Sequence, residues 1–353
     1  MMIDHSFLRI DNLNKTFEFQ GSEEKILDNL NFAIQKGKII GVIGRSGAGK
    51  STLLRCLSGL EKPDSGSIFL RGENLWALAS DELRQLRQKI GIIFQTYNLL
   101  QSKNVFDNIA LPLVLRGLNK KQCQNPVEEL AYMVGLSHKL KAYPHQLSGG
   151  QCQRVSIARA LINKPEILMC DEFTSALDPE TIADILSLIH HLKKQFNLTI
   201  MLVTHDMNVV RQIADYVYVL DKGNFVEQGS TIDILTRPRH SVTKLLLNEF
   251  LKDQLPEFIQ NKIRSVPCDN DDVALKLVFS SSTSTQPFIS NLAQQWGFTI
   301  NIIGGNLHHS QQQTFGHLMV SLKYNKNQLE EMITYLENNH VYVEILGYLQ
   351  WET

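Results

Sequence analysis

The sequence is poor in cysteine, in proline and in long apolar runs. Its five cysteines are odd in number and form no Cys-x-x-Cys pair, which argues against a disulfide framework or a zinc ribbon and fits a reducing compartment. They are Cys56, Cys123, Cys152, Cys170 and Cys268. Only ten prolines occur in 353 residues, of which 43% are hydrophobic and 20% charged. This composition is typical of a soluble globular protein.

Nowhere do eighteen apolar residues follow one another, so the sequence predicts no membrane-spanning helix. The first ten residues lack a basic segment followed by a long apolar run, and we therefore expect no signal peptide. The formal net charge of −1 gives no general attraction to nucleic acid or to anionic lipid. Partners are therefore expected to be recognised by specific surfaces, with no nucleic acid among them.

The length favours two domains rather than one. In the first two thirds, β-branched runs alternate with amphipathic helical patterns, which predicts βαβ units and an α/β domain with a partly parallel, mixed sheet. Strands are predicted at 38–43, 66–70, 90–94, 167–170, 199–203 and 216–221. We place this domain at 1–247, with a helical subdomain at about 80–160.

A second alternation follows a polar segment that carries Pro256 and Pro267, and we interpret 248–271 as a linker. The order β-α-β-β-α-β in 272–353 predicts a small α+β ferredoxin-like domain. Its strands are predicted at 273–279, 298–307, 314–322 and 341–349, and its helices at 287–297 and 325–339. About 80 residues bury only a modest core, so support from another domain or copy is expected.

One segment fits the P-loop pattern G-x-x-x-x-G-K-[ST], between a predicted strand and a predicted helix. Glycines let backbone N–H groups cradle phosphate oxygens at a helix N-terminus. The lysine brings a charge to the β- and γ-phosphates and the serine hydroxyl ligates Mg²⁺. The predicted nucleotide-binding residues here are Gly44, Arg45, Ser46, Gly47, Ala48, Gly49, Lys50, Ser51 and Thr52.

An apolar strand ends in two carboxylates, Asp171 and Glu172. The carboxyl end of such a strand lies at the same sheet edge as the P-loop. Asp171 can then hold Mg²⁺, while Glu172 acts as a general base on the attacking water. An acidic pair after a strand is also a common helix start, so this prediction depends on the motifs around it.

The segment Leu147-Ser148-Gly149-Gly150-Gln151 precedes a helical pattern. Ser148 is a natural N-cap, and two glycines allow a phosphate to approach the exposed amides. With the P-loop and the acidic strand, this segment resembles the signature of ABC (ATP-binding cassette) ATPases, and the resemblance extends from residue 3 to about 246. It implies an ABC cassette of the P-loop NTPase fold that hydrolyses ATP with Mg²⁺.

The resemblance implies further site residues. Phe17 is similar to the aromatic that stacks on adenine, although Phe19 is a close competitor and Phe17 as a plain core or edge aromatic remains an alternative. Gln95 resembles the glutamine that contacts Mg²⁺ and the water, and is also a candidate metal ligand. Asp178 lies in a segment similar to the D-loop, and His205 resembles the switch histidine that contacts the γ-phosphate.

The chain has one P-loop and one signature segment, 147–151. In the family, the signature of one subunit completes the nucleotide site of the other, so the resemblance implies that Ser148, Gly149, Gly150 and Gln151 contact ATP across a homodimer. The segments 94–100 and 105–113 resemble the surface that receives a permease dimer. Ordinary helix packing would also explain these apolar residues.

The second domain resembles the NIL domain of methionine-importer ATPases, which is ACT-like. This implies a peripheral protein at the cytoplasmic face of the inner membrane, with an extracytoplasmic substrate-binding lipoprotein as an indirect partner. It also implies that methionine acts as a regulatory ligand and inhibits the ATPase by feedback. We predict the regulatory site at Asn301, Ile302, Ile303 and Gly304; dimerisation without a ligand is the alternative.

Two other hypotheses remain open from the sequence. The first alternative to methionine import is an ABC ATPase that serves another importer, or a lipoprotein-release or division complex. A soluble regulatory ABC protein is the alternative of a different class, although such proteins usually carry two cassettes or large insertions. One departure from the family pattern is Phe173, where a small residue is usual after the catalytic glutamate, and its bulk is expected to alter the packing of the D-loop.

Overall fold

The computed structural model describes residues 6–19, 21–251, 257–268, 270–280, 283, 286–309 and 314–351. Contacts divide the chain into two compact units, Met1–Gln228 and Gly229–Thr353. The division at residue 247 and the linker at 248–271 stay predictions. In the structure, the helices that follow residue 230 belong to the second unit.

The first unit has ten strands among its described residues, arranged in two sheets. An antiparallel sheet has the order β2-β1-β4-β5, and a six-stranded sheet has the order β10-β9-β3-β8-β7-β6. The strands are β1 (Leu8–Phe19), β2 (Ser22–Ile34), β3 (Ile39–Ile43), β4 (Ser65–Leu70), β5 (Glu73–Asn74), β6 (Ile90–Ile93), β7 (Ile167–Asp171), β8 (Thr199–Thr204), β9 (Tyr216–Asp221) and β10 (Asn224–Ser230).

Five strands of the larger sheet, β3 and β6 to β9, pair in parallel. Every residue of β3 and of β8 is buried, as expected for a sheet covered on both faces. Parallel strands end at a common edge, so the segments after β3, β6, β7 and β8 lie side by side. The predicted mixed α/β fold is confirmed.

Helices cover this sheet. Some of them also form the helical subdomain, which follows the P-loop in the chain and precedes the acidic strand β7. The helices are α1 (Lys50–Leu57), α2 (Ser80–Gln88), α3 (Val105–Leu115), α4 (Lys120–Met133), α5 (Gly149–Leu161), α6 (Pro179–Phe196) and α7 (Met207–Ile213). Asparagines cap two of them, because the side chains of Asn104 and Asn119 accept hydrogen bonds from the backbone N–H groups of Asp107 and Gln122. The apolar faces of α3, α4 and α5 share one hydrophobic cluster.

The second unit is built on one antiparallel sheet of order β12-β13-β11-β14. Its strands are β11 (Asp272–Ser280), β12 (Ile300–His309), β13 (Thr314–Lys323) and β14 (Tyr342–Leu349), and its helices are α8 (Thr231–Thr236), α9 (Ser241–Leu251), α10 (Glu257–Gln260), α11 (Phe288–Trp296) and α12 (Lys326–Asn338). The predicted β-α-β-β-α-β order of the ferredoxin-like domain is confirmed.

The core of this unit lies between the sheet and the pair α11 and α12. Alternate residues of β11, including Val273, Leu275 and Leu277, pack there with Leu292 of α11 and Met332 of α12. A smaller cluster around Ile259 of α10 packs with Ala274 and Leu349. In the part of the chain that the structure describes, no helix combines the length and apolar character needed to cross a membrane.

Candidate functional site

The P-loop connects β3 to α1, and its glycines are needed for two different reasons. Gly44 packs against backbone, since a Cβ there would lie 2.2 Å from the carbonyl oxygen of Leu220. Gly47 and Gly49 adopt φ angles of 80° and 103°, a left-handed region that side chains disfavour. Gly49 is also the N-cap of α1. The loop therefore leads into the N-terminus of α1, where free N–H groups and the helix dipole attract an anion.

Lys50 is held at the mouth of this loop. Its ammonium group donates hydrogen bonds to the carbonyl oxygens of Gly44, at 2.8 Å, and Arg45, at 3.0 Å. The side chain is only 6% exposed. Burial lowers the pKa of Lys50, while the charges of Glu172 and Asp171 act in the opposite direction. The positive charge is thus fixed beside the helix N-terminus.

Ser51 and Asp171 meet across the sheet edge, where the Ser51 hydroxyl donates a hydrogen bond of 3.1 Å to Oδ1 of Asp171. The pKa of Asp171 is raised above its ordinary value, because burial raises it more than the hydrogen bond from Ser51 lowers it. A hydroxyl and a carboxylate oxygen side by side are the hard oxygen ligands that Mg²⁺ takes beside nucleotide phosphates. The residues present therefore fit a magnesium ion.

Glu172 is the centre of the site. Its Oε1 lies 3.1 Å from Nδ1 of His205 and 3.8 Å from Nζ of Lys50, and its Oε2 accepts a 3.3 Å hydrogen bond from Nε2 of Gln95. The structure thus brings together Lys50, Gln95, Glu172 and His205, with Ser51 and Asp171 adjoining. This arrangement places a carboxylate base beside a charge that attracts phosphate.

The backbone at Glu172 is left-handed, with φ of 40°, which is uncommon for a residue with a side chain and costs roughly 1–3 kcal/mol. Its N–H donates a 2.8 Å hydrogen bond to the carbonyl of Val203 at the end of β8. The neighbouring strand therefore holds the carboxylate in this conformation. No sequence pattern indicated this left-handed conformation at Glu172.

The signature segment begins α5. Ser148 caps that helix, because its hydroxyl accepts from the N–H of Gln151, whose side chain in turn accepts from the N–H of Ser148. Ser148 and Gly149 are exposed, as a contact to another molecule requires. Asp178 caps α6 through the N–H and hydroxyl of Thr181.

The structure places Phe17 at the end of the β1–β2 hairpin, where it pairs with Glu24. Phe17 is 38% exposed, and the competing Phe19 is 65% exposed. Neither is a core residue. Thr52 continues α1 behind Ser51.

The contacts of two residues in this region, Tyr97 and Arg159, were not predicted from the sequence. Tyr97 lies against the signature, since a Cβ on Gly149 would stand 2.8 Å from the Tyr97 hydroxyl. Arg159 of α5 donates hydrogen bonds of 2.9 and 2.7 Å to the carbonyl oxygens of Tyr97 and Asn98. Burial lowers the pKa of Arg159. The loop that carries Gln95 is therefore bound to the signature helix, by contacts between residues about 60 positions apart that no local sequence pattern predicts.

Phe173 points into the core, with 2% of its surface exposed, and packs in the cluster that contains Ile185 and Leu202. Replacing Phe173 by alanine is expected to lower the free energy of unfolding by about 3–5 kcal/mol, because a buried ring leaves a cavity. Urea unfolding of the full chain measures this. Leu115→Ala, at a side chain 79% exposed, is the matched control and should change stability by less than about 0.5 kcal/mol. Equal losses in the two variants would contradict the assigned packing.

Comparison with known protein families gives two matches. The ABC transporter family matches residues 27–175 and the NIL domain family matches residues 273–345. The first match contains the P-loop, Gln95, the signature and the acidic pair. The second covers most of the antiparallel sheet of the second unit and ends within β14.

Full-length relatives also exist. The methionine import ATP-binding protein MetN of Francisella tularensis subsp. holarctica (strain OSU18) is 41% identical over 343 residues, which is 97% of this chain and 98% of the relative. The protein of the same name from Coxiella burnetii (strain RSA 493 / Nine Mile phase I) is 39% identical over 342 residues, or 97% of each chain.

Solved structures resemble the first part of the chain. A dimeric, post-hydrolysis state of the ATP-binding cassette MJ0796 bound to ADP and Pi has a TM-score of 0.59 and 33% identity, and covers 64% of this chain and 98% of its own. The structure of cbiO1 from Clostridium perfringens, part of the ABC transporter complex cbiONQ, has a TM-score of 0.61 and 26% identity, with coverage of 73% and 99%.

Proposed function

The chain belongs to the family of methionine import ATP-binding proteins, the ATP-hydrolysing subunits of ABC importers, and we propose that it powers the uptake of methionine through a membrane permease. The observation that carries the proposal is identity of about 40% to relatives of that name over 97% of the chain. Similarity confined to the cassette would support only ATP hydrolysis, whereas this one includes the second unit.

We assign the binding of the triphosphate to the P-loop and Lys50. The N–H groups of residues 44–49 face the phosphates at the N-terminus of α1, and the Lys50 ammonium neutralises the β- and γ-phosphate charge. Phe17 stacks on the adenine. Ser51 and Asp171, with Gln95, would hold Mg²⁺, which would neutralise negative charge on the phosphates.

We assign the hydrolytic step to Glu172 and its neighbours. Glu172 orients the attacking water and accepts its proton, while Gln95 and His205 fix the carboxylate in place. His205 reaches the γ-phosphate from the same position. The preformed contacts at 3.1–3.3 Å mean that little reorganisation is needed when ATP arrives.

The active form proposed is a homodimer. Ser148, Gly149, Gly150 and Gln151 of one subunit contact the γ-phosphate bound by the other, because the exposed helix N-terminus adds hydrogen-bond donors to a phosphate that the P-loop leaves open. ATP then stabilises the closed dimer and hydrolysis releases it. The solved relative that is dimeric and holds ADP and Pi supports this assembly.

A permease dimer is the proposed membrane partner, with an extracytoplasmic lipoprotein delivering the substrate. Apolar side chains remain exposed on and around the helical subdomain, as a docking groove needs. They are Leu100, Val114, Leu115, Tyr132 and Tyr143. We accordingly propose that the chain works at the cytoplasmic face of the inner membrane.

Uptake measurements test the proposal. Disrupting the gene for this chain in its host is expected to abolish uptake of labelled methionine while leaving uptake of unrelated amino acids intact. A plasmid copy of the wild-type chain should restore transport, and the Glu172→Gln variant should not. Undiminished methionine uptake in the disrupted strain would contradict the assignment of the substrate.

The second unit is proposed to sense methionine. Asn301 to Gly304 lie on β12, where Ile302 is 58% exposed and the pairing with β13 is irregular between Ile302 and Gly304. The next three residues of β12 line a cavity of about 340 Å³, together with Phe279 and Phe288. Aromatic and aliphatic walls suit a thioether side chain. We therefore extend the proposed regulatory site to this cavity.

Methionine is expected to stabilise the full chain against heat. At about a hundred times its dissociation constant a ligand adds about 2.7 kcal/mol, a shift that differential scanning fluorimetry detects. Leu307→Ala removes an exposed wall of the cavity and should reduce the shift. Ile345→Ala, at another exposed strand residue, should not. If alanine or glutamate stabilises the chain as much as methionine, the site is not selective and the sensing proposal fails.

A further inference from the structure

Lys15 is a buried charge that the hydrolytic mechanism does not use. Its ammonium nitrogen stands over the ring of Phe17, 4.9 Å from the centroid. Lys15 and Phe17 are two residues apart on β1, so their side chains lie on the same face of that strand. The side chain of Lys15 is only 11% exposed, although lysine is almost never buried unless it is paired.

Three acceptors hold this ammonium group in place. It lies 2.7 Å from a carboxylate oxygen of Glu61 and 3.3 Å from one of Asp64, and it donates a 2.9 Å hydrogen bond to the carbonyl of Lys62. Burial acts against the charge, but the hydrogen bonds and charges of the two carboxylates together raise the pKa of Lys15. All three N–H donors of the ammonium thus have an acceptor.

The acceptors belong to the segment that leaves the P-loop helix. The N–H of Glu61 still bonds the carbonyl of Arg55 in the last turn of α1, and the N–H of Asp64 bonds the carbonyl of Asn14. A carboxylate oxygen of Asp64 also accepts a 2.6 Å hydrogen bond from the N–H of Thr16. Lys15 therefore joins the hairpin that carries Phe17 to the helix whose other end holds the phosphates.

We propose that Lys15 is a positioning residue for the base of the nucleotide, acting through Phe17. The ammonium occupies one face of the Phe17 ring, which holds the ring in place and leaves its opposite face for the adenine. This inference rests on the proposed role of Phe17 as the adenine platform. It adds a second residue that sets the distance between base and phosphate sites.

Equilibrium binding to the full chain tests the proposal, with Mg·ATP compared with magnesium tripolyphosphate, which has the phosphates and no base. Lys15→Met is expected to weaken ATP binding by about three- to tenfold, the size of a cation–π contact, and to leave tripolyphosphate binding unchanged. Lys15→Arg keeps a cation over the ring and should restore most of the ATP affinity. Lys25→Met, at an exposed lysine of the same hairpin that pairs with Asp28, is the control and should behave like wild type.

A double mutant separates the inference from its premise. In a Phe17→Ala background, Lys15→Met should cost no further ATP affinity, because the ring through which it acts is gone. If Phe17→Ala alone leaves ATP binding unchanged, the adenine platform itself is wrongly assigned. If Phe17→Ala weakens binding but Lys15→Met weakens tripolyphosphate equally, or adds its full effect to Phe17→Ala, the positioning role is overturned.

Discussion

Glu172→Gln is expected to lower the rate of ATP hydrolysis by about a hundred- to ten-thousand-fold, the usual contribution of a general base. The amide keeps the shape of the carboxylate but cannot accept the proton of the attacking water. Because Lys50, Ser51 and the P-loop are untouched, ATP still binds. The variant should therefore accumulate as an ATP-bound dimer, visible as a shift to twice the mass on size-exclusion chromatography with light scattering.

The control for this result is Glu129→Gln, which removes a charge from an exposed position of α4 and should leave turnover and mass unchanged. A Glu172→Gln chain that binds ATP but stays monomeric would refute the dimer. One that hydrolyses ATP at the wild-type rate would refute the assignment of the base.

Lys50→Ala is expected to weaken the binding of Mg·ATP by at least about a hundredfold, because charge-assisted hydrogen bonds to phosphate are among the strongest polar contacts. The deletion also leaves the carbonyl groups of Gly44 and Arg45 without the donor that satisfies them. It removes the positive charge nearest Glu172 as well, so the carboxylates then repel the incoming phosphates. Isothermal titration calorimetry measures the loss.

Two variants sharpen the comparison. Lys38→Ala removes an exposed lysine just before β3, at the opposite end of the strand that enters the P-loop, and should bind ATP normally. Lys50→Arg keeps the charge but is expected to bind poorly, since a planar guanidinium does not fit a cradle shaped for a point charge. If Lys50→Ala bound Mg·ATP with wild-type affinity, the ammonium would stabilise only the P-loop and would not contact the nucleotide.

The parts of the fold that follow from local pattern were predictable. Strands β3 and β6 to β9 are continuous apolar runs, which is how buried parallel strands look in a sequence. The second unit alternates strand and helix patterns in the ferredoxin-like order, and its sheet has that topology. In both units, most of the positions that the hydrophobic pattern of the sequence predicts to be buried are buried in the structure.

The β1–β2 hairpin was not predicted, for a physical reason. Asn12, Asn14 and Asn29 interrupt its alternation, and the pairing contains three register shifts. Asn12 and Asn29 stand at left-handed backbone positions, and their N–H groups donate hydrogen bonds to the side-chain oxygens of Asn31 and Asn14. A pattern that relies on strict period two therefore misses these strands.

At the candidate site, the position of the motif residues at one sheet edge was predictable, and their mutual contacts were not. Motif spacing brings Lys50, Asp171 and Glu172 to one sheet edge, because parallel strands end together. The left-handed conformation of Glu172 and the anchoring of Lys15 both depend on partners far along the chain. Such contacts leave no local trace in a single sequence.

The bond between Arg159 and the carbonyl groups of Tyr97 and Asn98 has a thermodynamic consequence for the assembled transporter. In the proposed homodimer it would tie the loop of one nucleotide site to the helix that completes the other, so a change at one site would be transmitted to the other. Linkage between ligands is reciprocal. If a permease pressing on residues 97–100 changes the affinity for nucleotide by some factor, nucleotide must change the affinity for the permease by that same factor. Titrating one ligand with and without the other then gives the coupling free energy that applies to both.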